Sequence, residues 1–199
     1  MSRIGAPRNA TKAMVTFECR GEQEVAVKDF STAAWWFRVV VARRSLVREA
    51  RTYAQLAGLP GIPVCLGLEG PDRLVLARAP GIPLDRLVPG TVPVAAFDRL
   101  ERLIDAIHAR GVAIADLHRS NVLVDEQANV ALIDFALARI ARVAAHPGPV
   151  IRALQRLDRH AAARIRAHYL QLPEPRAPGL FGAVYRLGRR LKRLIRFGG

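Results

Sequence analysis

The sequence predicts an α+β chain: a small antiparallel sheet with one long helix, followed by a reduced, mainly helical part. Short apolar or alternating runs crowd the first part and are separated by turn residues, as in hairpins. Two stretches without Gly or Pro breaks, 32–57 and 94–110, have helical composition. The chain has 199 residues and is 51% hydrophobic, enough to bury a real core and too apolar for wholesale disorder.

Strands are expected near 13–20 and 23–29, where apolar and polar residues alternate about the Gly21-Glu22 turn. The helix of 32–57 follows, and Gly58 to Pro63, punctuated by Gly and Pro, ends it. Its Trp35-Trp36-Phe37 and Val39-Val40-Val41 clusters exceed one buried stripe and are expected to be helix core, an exposed partner surface being the alternative. Residues 63–68 and 73–77 read as two hairpin strands about Glu69-Gly70-Pro71-Asp72. Residues 93–110 form an amphipathic helix with Leu100, Leu103, Ile104 and Ile107 on one face, closed by Gly111. Two short strands, 122–124 and 130–133, flank a polar turn at 125–129.

That hairpin carries the strongest functional pattern. Asp116 is followed five residues on by Asn121 and eighteen on by Asp134, and the two strands place all three polar groups at one edge. Turn residues scattered on a surface loop are the alternative. Upstream, Val25-Ala26-Val27-Lys28 delivers a lysine from a strand, and Glu49 stands on the following helix. Each alone could be a solvated surface charge; jointly, with the downstream set, that reading becomes improbable.

On these residues the chain resembles the protein-kinase-like superfamily, in particular the small atypical branch of RIO kinases and bacterial lipopolysaccharide core kinases. Val25-Ala26-Val27-Lys28 is similar to the Val-Ala-Ile-Lys of kinase strand three. Ala115-Asp116-Leu117 resembles the His-Ala-Asp-Leu of RIO proteins, and Asp116-Leu117-His118 the His-Gly-Asp-Leu-His of small-molecule kinases. The likeness covers about residues 5–140. It implies a minimal bilobed fold, with an N-lobe of about 1–78 and a C-lobe of about 82–178, joined by Arg78-Ala79-Pro80-Gly81. Adenine would take backbone hydrogen bonds there, at Ala77 and Ala79. It further implies ATP and Mg2+ as cofactors. Asp116 would be the catalytic base, Lys28 the phosphate-holding lysine steadied by Glu49, and Asn121 and Asp134 the metal ligands.

Three departures stand out. Ile114 replaces the usual His two before Asp116, Ala136 replaces the Gly after Asp134-Phe135, and no Gly-x-Gly-x-x-Gly precedes Lys28. Residues 5–15 lie where that loop would cover phosphate, with Lys12 and Arg8 as its cations; a frayed basic terminus is the alternative. His118 is placed to donate to phosphate or to pack. His108, His146, His160 and His168 lack ligand spacing and are expected on helix surfaces. Cys19 and Cys65 likewise lack metal-ligand spacing and read as core thiols of a reducing compartment.

Charge is the second feature. The formal net charge is +14, and no acidic residue follows Glu174. Residues 179–199 read as a basic amphipathic helix, with Leu180, Val184, Leu187, Leu191, Leu194 and Ile195 on one face and arginines opposite. An anionic membrane surface is the favoured partner, a helix docked on its own C-lobe and a nucleic acid or ribosome the others. No signal sequence and no eighteen-residue apolar run is seen, so the expected location is cytoplasmic, extending to the inner face of the cytoplasmic membrane. The expected function is γ-phosphoryl transfer from ATP to a hydroxyl, on a lipopolysaccharide or other lipid-linked sugar or on protein serine or threonine. The rival is a pseudokinase, a nucleotide- or partner-binding module.

Overall fold

The computed structural model describes residues 2–3 and 13–175 of the chain. The fold is α+β. Five antiparallel strands make the first sheet: β1 (Ser2–Arg3), β2 (Met14–Arg20), β3 (Gln23–Asp29), β4 (Cys65–Glu69) and β5 (Arg73–Ala77), in the order β1-β2-β3-β5-β4. Gly21 at φ 62° makes the tight β2–β3 turn, and the register sets Lys28 opposite Val15 on one side and Leu74 on the other. Strand β3 alternates as the sequence suggests: Val25 and Val27 are fully buried, packed with Val75.

The long helix runs in three pieces: α1 (Trp35–Phe37), a π-helical turn at Arg38–Ala42, and α2 (Arg43–Gln55). Leu46, Glu49, Thr52, Tyr53 and Leu56 form its buried face, the i, i+3, i+7 spacing of one helical stripe. The aromatic and valine clusters do not. Trp35 is 75% exposed and Trp36 52%, and Val39, Val40 and Val41 are also exposed, which corrects the expectation that they are helix core. Only Phe37 turns inward, against Phe30 at 6.0 Å between ring centroids. Asp72, at the β4–β5 turn, pins this segment: its buried carboxylate accepts hydrogen bonds from Arg38 and, at 3.1 Å, from Arg43.

The second part follows Gly81. It holds β6 (Ile82–Pro83), α3 (Val94–Ala109), β7 (Val112–Ala113), β8 (Val122–Val124), β9 (Val130–Leu132), β10 (Arg139–Ile140) and α4 (Pro149–Tyr169). Strands β6, β8 and β9 form one small sheet, and β7 pairs with β10. The Asp125 turn is closed by its own carboxylate, which accepts from the Gln127 and Asn129 amides at 3.0 and 2.7 Å. Helix α3 buries Leu100, Leu103, Ile104 and Ile107 as expected.

Helix α4 has no counterpart in the sequence reading. Its inner face carries Gln155 and Asp158 among Ala162, Ile165 and Tyr169, so the apolar periodicity is broken where the polar groups go in. One continuous core runs from Phe30 and Leu46 through Leu100 and Ile104 to Ile165 and Tyr169. Each fully buried Leu or Ile side chain contributes about 1.5–3 kcal/mol by leaving water.

Two glycines mark close passes. A Cβ on Gly61 (φ 88°) would stand 2.4 Å from the Val130 carbonyl oxygen, where β9 runs against the segment after α2. One on Gly81 (φ 105°) would stand 2.7 Å from Val124 C and 3.0 Å from Asp125 N. The connection between the two parts of the fold therefore lies directly on strand β8.

Cys19 is exposed and Cys65 half-buried, so Cys19 is not the core thiol expected. Among the described residues no helix is long and apolar enough to cross a membrane. The loop containing Lys12 and Arg8 and the basic segment 179–199 lie outside the described residues.

Candidate functional site

Strand β3, helix α2 and the end of β9 converge on one charge cluster. Lys28 Nζ lies 2.8 Å from Glu49 Oε2 and 2.9 Å from Asp134 Oδ1. The three residues are 21 and 106 positions apart in the chain, so only the tertiary fold brings them together. Glu49 is 1% exposed and its carboxylate would be strongly unfavourable without a cation. Burial works against the Lys28 charge, but the Glu49 and Asp134 carboxylates outweigh it and hold the ammonium above the ordinary lysine pKa. Burial pushes the Glu49 carboxyl up, Lys28 opposes this, and the Asp134 charge adds to the rise. One ammonium thus serves two carboxylates. Asp134 is the accessible one, with a side chain 46% exposed.

The backbone around Asp134 is held from the same helix. Tyr53, one turn beyond Glu49, accepts the Asp134 N–H on its hydroxyl at 3.2 Å and meets the Phe135 ring edge-on at 5.1 Å. Burial keeps the Tyr53 hydroxyl protonated well beyond the usual tyrosine range. Asp134 itself sits at φ 64°, a left-handed conformation that Asp tolerates better than most side chains. Its Oδ1 also accepts the Ala136 N–H at 3.3 Å, which closes a local turn.

The second group is built on the segment between β7 and β8. Asp116 Oδ1 lies 2.6 Å from His118 Nε2, and both side chains are partly exposed. The Asn121 side-chain amide reaches back to the Asp116 carbonyl at 3.5 Å, and the Ile133 N–H donates to the Asn121 carbonyl at 3.0 Å. That last bond ties the Asn121 backbone to the residue immediately before Asp134.

Below Asp116 lies an anchor that the sequence reading missed. Asp158, from α4, is 2% exposed and accepts the Ile114 and Ala115 amides at 2.8 and 2.9 Å. Its Oδ2 also lies 3.0 Å from His108 Nε2. His108 is therefore buried, contrary to the surface position expected for it, whereas His146 and His168 are exposed. Ala115, at φ 64°, is strained for a non-glycine residue, and the paired hydrogen bonds to Asp158 hold it there. Gln155 braces the same loop through the His108 and Val112 carbonyls at 3.3 Å each. A polar residue on an otherwise apolar helical stripe was the signal that could have found Asp158.

At the connection between the two parts, the Ala77 N–H is already donated to the Val64 carbonyl and that of Arg78 to the Glu24 carbonyl. Among the described residues no hydrogen bond engages the Ala79 backbone, so its amide and carbonyl are open to a ligand, whereas the Ala77 amide is already engaged.

Asp134 and Asn121 suit one class of metal. Magnesium commonly takes one or two protein oxygens and fills its other positions with phosphate and water. A carboxylate oxygen and an amide oxygen are such donors, and the 46% exposure of Asp134 leaves it open to a shared ion. Among the described residues no cluster of three or more His, Cys, Asp or Glu could cage a metal without such help.

No family model matches the chain. A probable SapB synthase of Streptomyces coelicolor is 31% identical to it over 150 residues, covering 61% of this chain and 16% of that protein. The chain therefore spans about a sixth of the length of the curated relative it matches.

Proposed function

We propose that this chain is a minimal bilobed kinase-like phosphotransferase that moves the γ-phosphoryl group of ATP to a hydroxyl acceptor. The observation that carries the reading is the Lys28–Glu49–Asp134 cluster: one half-buried strand lysine fixed by a buried helix glutamate and facing an accessible aspartate. Phosphoryl transfer requires mainly positioned charge, and such a cluster supplies it. In this reading residues 1–178 form the kinase-like domain, with lobes of about 1–78 and 82–178.

Lys28 holds the α- and β-phosphates, and Glu49 keeps its ammonium aimed at them. Asn121 and Asp134 are the donors that would hold magnesium, which would offset the negative charge of the phosphates. Asp116 orients the acceptor hydroxyl and takes its proton as the new P–O bond forms. His118, in contact with Asp116, would donate to a phosphate oxygen. Ala79 offers the backbone contacts for adenine. The printed name of the Streptomyces relative is that of an enzyme, which favours catalysis over a pure binding role. The acceptor classes remain a lipid-linked sugar and protein serine or threonine.

The test is nucleotide-dependent stabilisation followed by turnover. Millimolar ATP should raise the melting temperature when magnesium is present, because ligand that binds only the native state stabilises it by mass action. Asp134→Asn should remove most of that rise. Asp116→Ala should leave it and lower phosphoryl transfer to an acceptor by at least ~100-fold, the scale of a positioned general base. Retention of the rise with no transfer to any sugar or protein acceptor would favour the pseudokinase. No rise in the wild-type chain would overturn the nucleotide site.

A further inference from the structure

The face of α1 and α2 that looks away from Lys28 has no role in phosphoryl transfer, yet it is highly specialised. Its first turns present Trp35, 75% exposed, and Trp36, 52% exposed, beside exposed Val39 and Val40. Its later turns present Arg44, Arg48 and Arg51, three or four residues apart and therefore on one side of the helix. With Arg43 and Val47 these arginines line an open depression of about 400 Å³. Arg38 and Arg43 are paired with Asp72, but among the described residues no acidic group pairs Arg44, Arg48 or Arg51. Between Phe30 and Leu68 the only acidic residue is Glu49, and it is 1% exposed and turned to Lys28.

We propose that this face docks on an anionic lipid surface, with Trp35 and Trp36 at headgroup depth and Arg44, Arg48 and Arg51 on lipid phosphates. Two exposed indoles next to β-branched side chains lose free energy in water and gain it at a bilayer interface, where their rings stay amphipathic. Three exposed guanidiniums on the same helix, with no acidic partner among the described residues, are attracted to a dense source of negative charge, and an anionic leaflet supplies it within a Debye length. A second copy of the chain is disfavoured by like charge, since each carries a net +14. The surface is built from α1, α2 and the turn between them.

The chain reports on this face by itself, because Trp35 and Trp36 are its only two tryptophans. The full chain is mixed with vesicles of phosphatidylglycerol and phosphatidylcholine, and tryptophan emission is followed alongside co-sedimentation. A blue shift with quenching by brominated acyl chains is expected on anionic vesicles, and little of either on pure phosphatidylcholine. The Arg44→Ala, Arg48→Ala, Arg51→Ala triple variant should need about a hundredfold more lipid for the same shift, while its melting temperature stays unchanged. Co-sedimentation without a change in emission would show that another segment binds and would overturn the proposal. So would an equal shift on neutral vesicles, or a shift with RNA or an acidic protein and none with lipid.

Discussion

Replacing Asp158 by Asn removes one charge and almost no volume, and its effect can be worked out from three contacts. The carboxylate accepts the Ile114 N–H at 2.8 Å and the Ala115 N–H at 2.9 Å, and its Oδ2 also meets His108 Nε2 at 3.0 Å. An Asn amide has one acceptor oxygen, whereas each Asp158 oxygen accepts a backbone N–H, so the NH2 must face one of the two in either orientation. One charge-assisted bond worth about 1.5–3 kcal/mol is then lost, and the buried amide left unpaired adds a similar cost. The other bond falls to neutral strength. A total of about 3–5 kcal/mol follows, the range for breaking a buried charged network by removing one member. For a chain of this size that lowers the melting temperature by about 10 °C or more. Urea denaturation reads the loss, and hydrogen exchange locates it, since the Ile114 and Ala115 amides should lose protection before those of α3. A loss below about 1 kcal/mol, or one that leaves those two amides protected, would refute the idea that Asp158 holds the segment leading to Asp116.

Two further outcomes are expected. Asp72 has its pKa held below the ordinary carboxylate value, chiefly by the Arg38 hydrogen bond and then by Arg43, against the opposing effect of burial. The stability it contributes is therefore complete above the ordinary aspartate pKa and disappears as pH falls through the lowered folded value. Asp72→Asn should cost about 1–2 kcal/mol near neutral pH, since both arginines are partly solvated, and should flatten that portion of the acid-unfolding profile. An unchanged profile in the variant would remove Asp72 from the account. Gly81→Ala should destabilise by at least ~2 kcal/mol, because the added Cβ meets the Val124 backbone at a φ that L-residues avoid. A melting temperature equal to wild type would mean that the connection is free to move off β8.

Patterns that depend on near neighbours were legible in the sequence. Alternation located β2, β3 and β5, and the turn about Asp125 located β8 and β9. The apolar face of α3 could be read residue by residue. The separation of Lys28 from Glu49 and Asp134 was also readable, because a strand, a helix and a hairpin each deliver one side chain, and the structure brings these three together. What could not be read was which side of an over-apolar helix faces the core. Residues 35–41 contain six large apolar side chains, and only the packing shows that Phe37 goes in while both tryptophans stay out. Helix α4 escaped for the opposite reason. Its buried positions include Gln155 and Asp158, whose partners are backbone groups more than forty residues away. Asp72 and Tyr53 were invisible for the same cause: each is an ordinary residue whose role comes from a distant amide or guanidinium.

The π-helical turn at Arg38–Ala42 has a consequence for how this surface can change over evolution. The Arg43 N–H there reaches the Arg38 carbonyl, five residues back instead of four, which is the backbone signature of a one-residue insertion absorbed inside a helix. Losing one residue between 38 and 42 would restore ordinary winding at that turn, and because a π turn takes up its extra residue locally the first turn would keep most of its bearing. Leu46, Glu49 and Tyr53 would keep their places, because they are fixed from the C-terminal side by Lys28, Asp134 and the core. Phe37 would stay against Phe30. What a single codon deletion there would change is the local run of Val39, Val40 and Val41, which are exposed. The turn is thus the place where the outer face of this helix can gain or lose a residue without disturbing the lysine–glutamate pair.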